Sequence, residues 1–344
     1  MRITRLDFVK KHTNEILLLA PLAAFAVPLV WLFLLEPASF DNLWKGRTFQ
    51  LFFVWLILLE LILGWDSLQK HEPIKQSKLR LAVLAGALAL PTVYVVASNY
   101  FSLTEAIVAM SKQAGIYWFY DMPKAMEYLV FAGFFTLMAY VTMGLKGLRT
   151  FAIPILFAVL IGSVFVIDSV YPEGQFTPFQ FLVPATTVLA VNVLGFMGYH
   201  TSLDFSQGSL PQLTVFSPGN AANSVSYGIA WPCAGIESLL IFAVTTLLFL
   251  KRIPLSWQGK VGYFVFGAAV TYVINVFRIV GIFLFALAGG EVMVFHQSIG
   301  PLFPIAWIVS YPLIILGSQS LWHRIRSCKR GVLENPVALS GTSG

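Results

Sequence analysis

Residues 226–240 read SYGIAWPCAGIESLL, and this stretch places one cysteine, Cys233, directly after a proline and at the mouth of an apolar run from 235 to 250. A thiol in that position meets the positive end of a helix dipole, which lowers its pKa and raises the thiolate fraction. Cys233 is therefore a candidate nucleophile. Two more polar residues stand in apolar surroundings, Arg278 within INVFRIVGI (274–282) and His296 within VMVFHQSIGP (292–301).

The composition decides the class. Of 344 residues, 58% are hydrophobic, 15% aromatic and only 11% charged, with a mean hydropathy of +0.78. That excludes an ordinary soluble domain and predicts an all-α, polytopic membrane helix bundle. The formal charge of +6 does not point to nucleic acid, because no basic patch is interleaved with aromatics. No CxxC or HExxH spacing appears, so neither a metal nor another cofactor is expected. The first apolar run lacks a small-residue cleavage site and reads as a retained helix.

A bilayer core of about 30 Å needs roughly 20 apolar residues per helix. Spans are expected at 16–35, 49–65, 79–97, 125–145, 151–170, 235–250, 261–288 and 301–321. Basic residues collect in cytoplasmic loops. Arg2, Arg5, Lys10 and Lys11 place the amino terminus inside, and Arg324, Arg326, Lys329 and Arg330 do the same for the carboxyl terminus. Between them, Lys70, Lys75, Lys78 and Arg80, then Lys146 and Arg149, then Lys251, Arg252 and Lys260 mark the inner loops. The pattern closes only if the ninth apolar segment, 179–199, does not cross. Pro184, Thr186, Thr187 and Asn192 also make it a poor span, so it reads as a re-entrant or interfacial helix on the outer face. A full crossing by this segment, with another failing to cross, is the alternative. Cys233 and Cys328 then lie on opposite sides, which argues against an intrachain disulfide.

From 171 to 232 the chain turns rich in Gly, Pro, Ser and Asn, with short alternating runs such as LTVF that suggest turns and a brief hairpin. The outer loop 98–123 is aromatic, as suits a membrane interface. Three divisions follow: amino-terminal helices at 1–170 with no recognised motif, a core at 171–323, and a basic then polar cytoplasmic tail at 324–344.

The topology brings Cys233, Arg278 and His296 to one depth. Arg278 lies 18 residues beyond Lys260, or about 27 Å along a helix, close to the outer surface. Each residue has a plain alternative: a Cys as a small apolar side chain, an Arg that snorkels, a solvated loop His. Asn275, one turn before Arg278, is placed to orient it. Glu237, one turn after Cys233, is placed to pair with Arg278 or to make a packing hydrogen bond. His200 is the rival histidine, in a loop without apolar framing.

The motifs PCAGIESLL, NVFRIVGI and FHQSIGPLF, in that order over residues 180–320, resemble the exosortase/archaeosortase family of membrane cysteine transpeptidases. The family more often has Cys-Ser-Gly where this chain has Cys-Ala-Gly, and its third catalytic position is His or Arg. YPEGQFTPFQ (171–180) resembles an archaeal, thaumarchaeosortase-like branch. The resemblance implies Cys233 as nucleophile, Arg278 as stabiliser of the thiolate or oxyanion, and His296 as general acid/base, with Asn275 and Glu237 in support. It implies substrates among surface or secreted proteins that end in a short motif, a transmembrane helix and a basic cluster, cut on the outer face and passed to a lipid or other surface acceptor. Two other classes fit a multi-pass chain: a transporter, with Arg278 and Glu237 on the substrate path, and a lipid-linked glycan ligase, which needs no cysteine.

Overall fold

The computed structural model describes residues 5–41, 45–69, 78–171, 175–205, 210–231, 233–296, 300 and 302–334. The expectations placed on Arg2, Lys70, Lys75, Pro232, residues 297–299, Pro301 and the tail 335–344 fall outside these residues. So do those on the side chains of Arg5, Lys10, Lys11, Lys78, Arg324, Arg326, Cys328, Lys329 and Arg330.

The amino-terminal part contains α1 (Arg5–Leu35), α2 (Ala38–Asp41), α3 (Thr48–Gln69), α4 (Lys78–Tyr100), α5 (Leu103–Gln113), α6 (Met122–Met143), α7 (Leu145–Thr150) and α8 (Ala152–Val170). The middle holds α9 (Thr177–Gln180), α10 (Leu182–Phe196), β1 (His200–Asp204), β2 (Gln212–Ser217) and β3 (Asn220–Gly228). The remainder is α11 (Ile236–Arg252), α12 (Trp257–Leu287), α13 (Val292–Val294) and α14 (Leu302–Glu334).

Seven of these helices, α1, α3, α4, α6, α8, α12 and α14, are long and apolar enough to cross a membrane. They are apolar on both faces: Phe25 and Ile315 are buried in the bundle while Leu34 and Leu313 on the same helices are exposed. That all-round pattern suits lipid outside and packed protein inside. The chain is thus a polytopic helical bundle. The eighth expected span corresponds to α11, which has 17 residues. It is about 26 Å long, carries Glu237 in its first turn and Lys251 and Arg252 in its last, and packs between α3, α8, α12 and α14.

Two groups of helices share α11. Phe25, Phe53, Phe131, Phe135, Phe157 and Phe165 form an aromatic core among α1, α3, α6 and α8, and Val244 and Leu248 of α11 join it. The opposite face of α11 supplies Phe242 and Leu250 to a cluster with Ile308, Tyr311 and Ile315 of α14. At one end of the bundle, Lys251 Nζ lies 2.9 Å from Glu60 Oε1 and donates to the Thr150 carbonyl at 2.9 Å. Arg252 donates to the other oxygen of Glu60, a carboxylate with no exposure. This basic end holds the expected inner loops around 146–150 and 251–256.

The opposite end carries the middle segment. There the alternating LTVF run forms β2, whose Leu213 and Val215 are fully buried. The strands make a three-stranded antiparallel sheet in the order β1-β2-β3, one strand more than the expected hairpin and an addition to an otherwise helical chain. Gly219, at φ +75°, turns β2 into β3 in a conformation that favours glycine. The sheet and α10 close over α12 through Val183, Ala190, Leu194, Leu213, Val276, Ile279 and Phe283. Helix α10 is 15 residues long, about 22 Å, and lies against the part of α12 nearest the sheet. In the segment 98–123, Tyr100, Phe101, Tyr117 and Tyr120 are exposed, in keeping with an interfacial aromatic belt.

Candidate active site

Cys233 sits in a tight turn between β3 and α11. Its N–H and that of Ala234 both donate to the Ala230 carbonyl, at 2.9 and 3.2 Å, and Ala234 also donates to the Trp231 carbonyl at 3.1 Å. The turn enters the helix through Gly235, whose φ is +95°. A Cβ there would stand 2.8 Å from Asn275 Cγ. Glycine is thus required twice, by backbone conformation and by space. The close approach lets Asn275 Nδ2 donate to the Cys233 carbonyl at 2.8 Å.

Helix α12 brings Arg278 to the same end. It lies 21 residues beyond Trp257, or about 32 Å along the helix, and is only 7% exposed. His296 follows α13, and its Nε2 lies 3.5 Å from Cys233 Sγ. The Gly300 N–H donates to the Phe295 carbonyl at 2.7 Å. A Cβ on Gly300 would come within 3.0 Å of Arg278 Nε and 3.2 Å of the Phe295 carbonyl. The glycine of the SIGP run therefore lets the histidine loop lie on the guanidinium.

The structure brings Cys233, Arg278, His296, Asn275 and Glu237 to one end of α11 and α12. His200 lies on β1 opposite Phe216, exposed. Two expectations change. Asn275 was expected to orient Arg278; instead it holds the cysteine turn, and among the described residues its Oδ1 has no hydrogen-bond partner. Glu237 was expected to pair with Arg278; no ion pair joins them among the described residues. Both line a small cavity with Phe49, Ile241 and Ile308, and Glu237 Oε1 and Arg278 Nε each lack a hydrogen-bond partner among the described residues.

The electrostatics also depart from the dipole expectation. Burial pushes the Cys233 thiol above its ordinary value, and the positive charge of Arg278 offsets that only in part. Burial, followed by the same guanidinium, lowers the His296 imidazole. Both shifts favour the uncharged forms, and Sγ and the ring Nε2 lie 3.5 Å apart. The thiol gains little from the helix terminus because it precedes the first helical residue by a whole turn and is half-buried.

Trp231, Thr186 and Tyr272 were not assigned to the site from the sequence. Trp231 is 1% exposed and anchors the turn. Thr186 Oγ1 lies 3.0 Å from the Tyr272 hydroxyl and 3.5 Å from the Ala234 carbonyl. In the sequence Thr186 signalled only a poor span; its hydroxyl donates to the Leu182 carbonyl at 2.8 Å and meets the Tyr272 hydroxyl beside the cysteine turn.

No curated protein and no solved structure matches this chain. A family model described as transmembrane exosortase matches residues 44–314, which takes in the cysteine turn, Arg278 and His296 and reaches back through the amino-terminal helices to α3. With a match over most of its length, this multi-pass membrane protein belongs to the transmembrane exosortase family.

Proposed function

We propose that the chain is a membrane-embedded cysteine peptidase and transpeptidase that removes carboxyl-terminal sorting signals from surface proteins. The observation that carries this reading is the 3.5 Å contact between Cys233 Sγ and His296 Nε2, beside a buried arginine whose Nε has no hydrogen-bond partner among the described residues. Family membership supports a sorting enzyme in general.

In the proposed reaction His296 takes the thiol proton as Sγ attacks the scissile carbonyl, and a C–S bond forms. Arg278 stays protonated throughout and donates to the developing oxyanion. Collapse breaks the C–N bond, His296 returns the proton to the departing amine, and a thioester on Cys233 remains. A hydroxyl or amine of a lipid or other surface acceptor, or water, then attacks the thioester as His296 accepts its proton; the new C–O or C–N bond forms, the C–S bond breaks, and His296 returns the proton to Cys233 Sγ. The excess of basic residues at the opposite end of the bundle supports an active site on the outer face of the cell membrane. Substrates would be surface or secreted proteins ending in a motif, a transmembrane helix and a basic cluster.

The test is capture of the acyl-enzyme. Purified protein incubated with a tailed substrate should acquire the mass of the amino-terminal product on Cys233, in a bond cleaved by hydroxylamine. Cys233→Ala should acquire none. A hydroxylamine-stable adduct, or the same adduct on Cys233→Ala, contradicts the thioester. Transporter and glycan-ligase readings require no such adduct and tolerate Cys233→Ala.

A further inference from the structure

A cluster of buried charges in the amino-terminal half takes no part in the reaction above, yet it ends at the cysteine turn. Lys45 Nζ lies 2.9 Å from Asp168 Oδ2 and 3.2 Å from Asp121 Oδ2, with the ammonium 5.1 Å from the centroid of the Trp118 ring. Lys45 itself has φ +53°, a left-handed conformation that a non-glycine residue keeps only when its surroundings impose it. They do. The carbonyl of Gly46 accepts from the Tyr128 hydroxyl at 2.8 Å. Arg47 forks onto Glu127, with Nε to Oε1 at 2.9 Å and Nη2 to Oε2 at 3.0 Å.

The carboxylate of Asp168, at the end of α8, also meets the indole of Trp231. Trp231 is buried, stands two residues before Cys233, and its carbonyl is part of the turn that carries the thiol. The turn is thus gripped from two sides. Asn275 of α12 holds the Cys233 carbonyl, and Asp168 of α8, itself fixed by Lys45, holds the ring of Trp231. Contacts from two helices restrain the turn, and sub-ångström placement of a nucleophile matters to rate.

We propose that Lys45, Asp168 and Trp231 form a latch through which the amino-terminal helices set the position of the Cys233 thiol against His296. Lys45 and Asp168 are positioning residues that touch no reacting atom. The inference rests on Cys233 being the nucleophile, so its test uses a readout that does not require peptidase activity.

That readout is the rate of iodoacetamide alkylation of Cys233 at alkaline pH, in full-length protein carrying Cys328→Ala so that one thiol reacts. Trp231→Phe removes the N–H and keeps the ring. Freed from α8, the half-buried thiol should alkylate roughly fivefold faster, and where tail processing is measurable kcat should fall roughly tenfold with KM within about twofold, the pattern of lost alignment rather than lost binding. Lys45→Met should act in the same direction, and Lys45→Arg should restore the wild-type rate. Folded Trp231→Phe and Lys45→Met proteins that both alkylate at the wild-type rate overturn the latch. If Trp231→Phe does not fold, Lys45→Met decides, since Lys45 does not touch the cysteine turn. Loss of fold in Lys45→Met as well, with no return of the wild-type alkylation rate in Lys45→Arg, assigns the network to stability alone and also overturns it. Altered alkylation with no tail processing even in the wild type leaves the latch standing and counts against the peptidase reading instead.

Discussion

Proton inventory at two residues sets the pH behaviour. His296 must be neutral to accept the thiol proton, and burial beside Arg278 lowers its pKa, so the base form persists below the ordinary histidine range. The acid limb of kcat/KM should therefore fall below about pH 6.5, and activity should rise with pH through that limb and stay level across neutrality, because the thiol, raised by burial, remains protonated there. A rate limited by a preformed thiolate would instead keep climbing through neutral pH. Arg278→Lys tests the guanidinium at the same scale. An ammonium keeps the charge but not the fork of donors, and kcat should drop about 10²-fold, as for loss of one oxyanion donor. Unchanged kcat would reduce Arg278 to a point charge. Cys233, Arg278 and His296 were legible in the sequence because each is polar where its neighbours are not. Trp231 was not, since an aromatic in a membrane chain gives no sign of the carboxylate it meets.

The start of α11 and the second half of α12 make the candidate site. Gly235 joins the cysteine turn to α11 at φ +95° against Asn275. Gly235→Ala should cost about 1–3 kcal/mol from backbone strain and overlap, seen as a lower thermal midpoint in detergent, and should weaken processing because Asn275 must yield its bond to the Cys233 carbonyl. The analogous feature in the amino-terminal half is Arg47, just before α3, on Glu127 of α6, 8% and 3% exposed. Arg47→Met leaves a buried carboxylate without its partner and should destabilise by about 3–5 kcal/mol; a thermal midpoint within error of wild type would refute that. The long apolar helices follow from composition, but their ends do not follow from Pro and basic residues: α1 runs through Pro21 and Pro28, and α14 continues past Pro312 to Glu334. The third strand does not, because β1 and β3 are too polar and exposed to show the alternation that betrays β2. The role of Asn275 was misread for a related reason: spacing on one helix put it near Arg278, while the strongest partner came from another segment.

Over the whole molecule, two helical groups meet along α11, and the site lies where α11, α12 and the sheet converge at one end. The basic loops gather at the other end, so the arrangement is polar along its axis, with the chemistry confined to one face. The amino-terminal half has no motif of its own, yet its Asp168 meets Trp231 beside the cysteine turn and it lies largely within the family match. The central claim is that Cys233 does the work of tail removal. It is tested most directly by co-expressing wild-type protein or Cys233→Ala with a surface protein from the same genome carrying a motif, a transmembrane helix and a basic cluster, and following tail loss by gel mobility and product mass. The account predicts processing by the wild type, none by Cys233→Ala, and a product mass that separates hydrolysis from transfer to an acceptor. Equal processing by the two forms would contradict it.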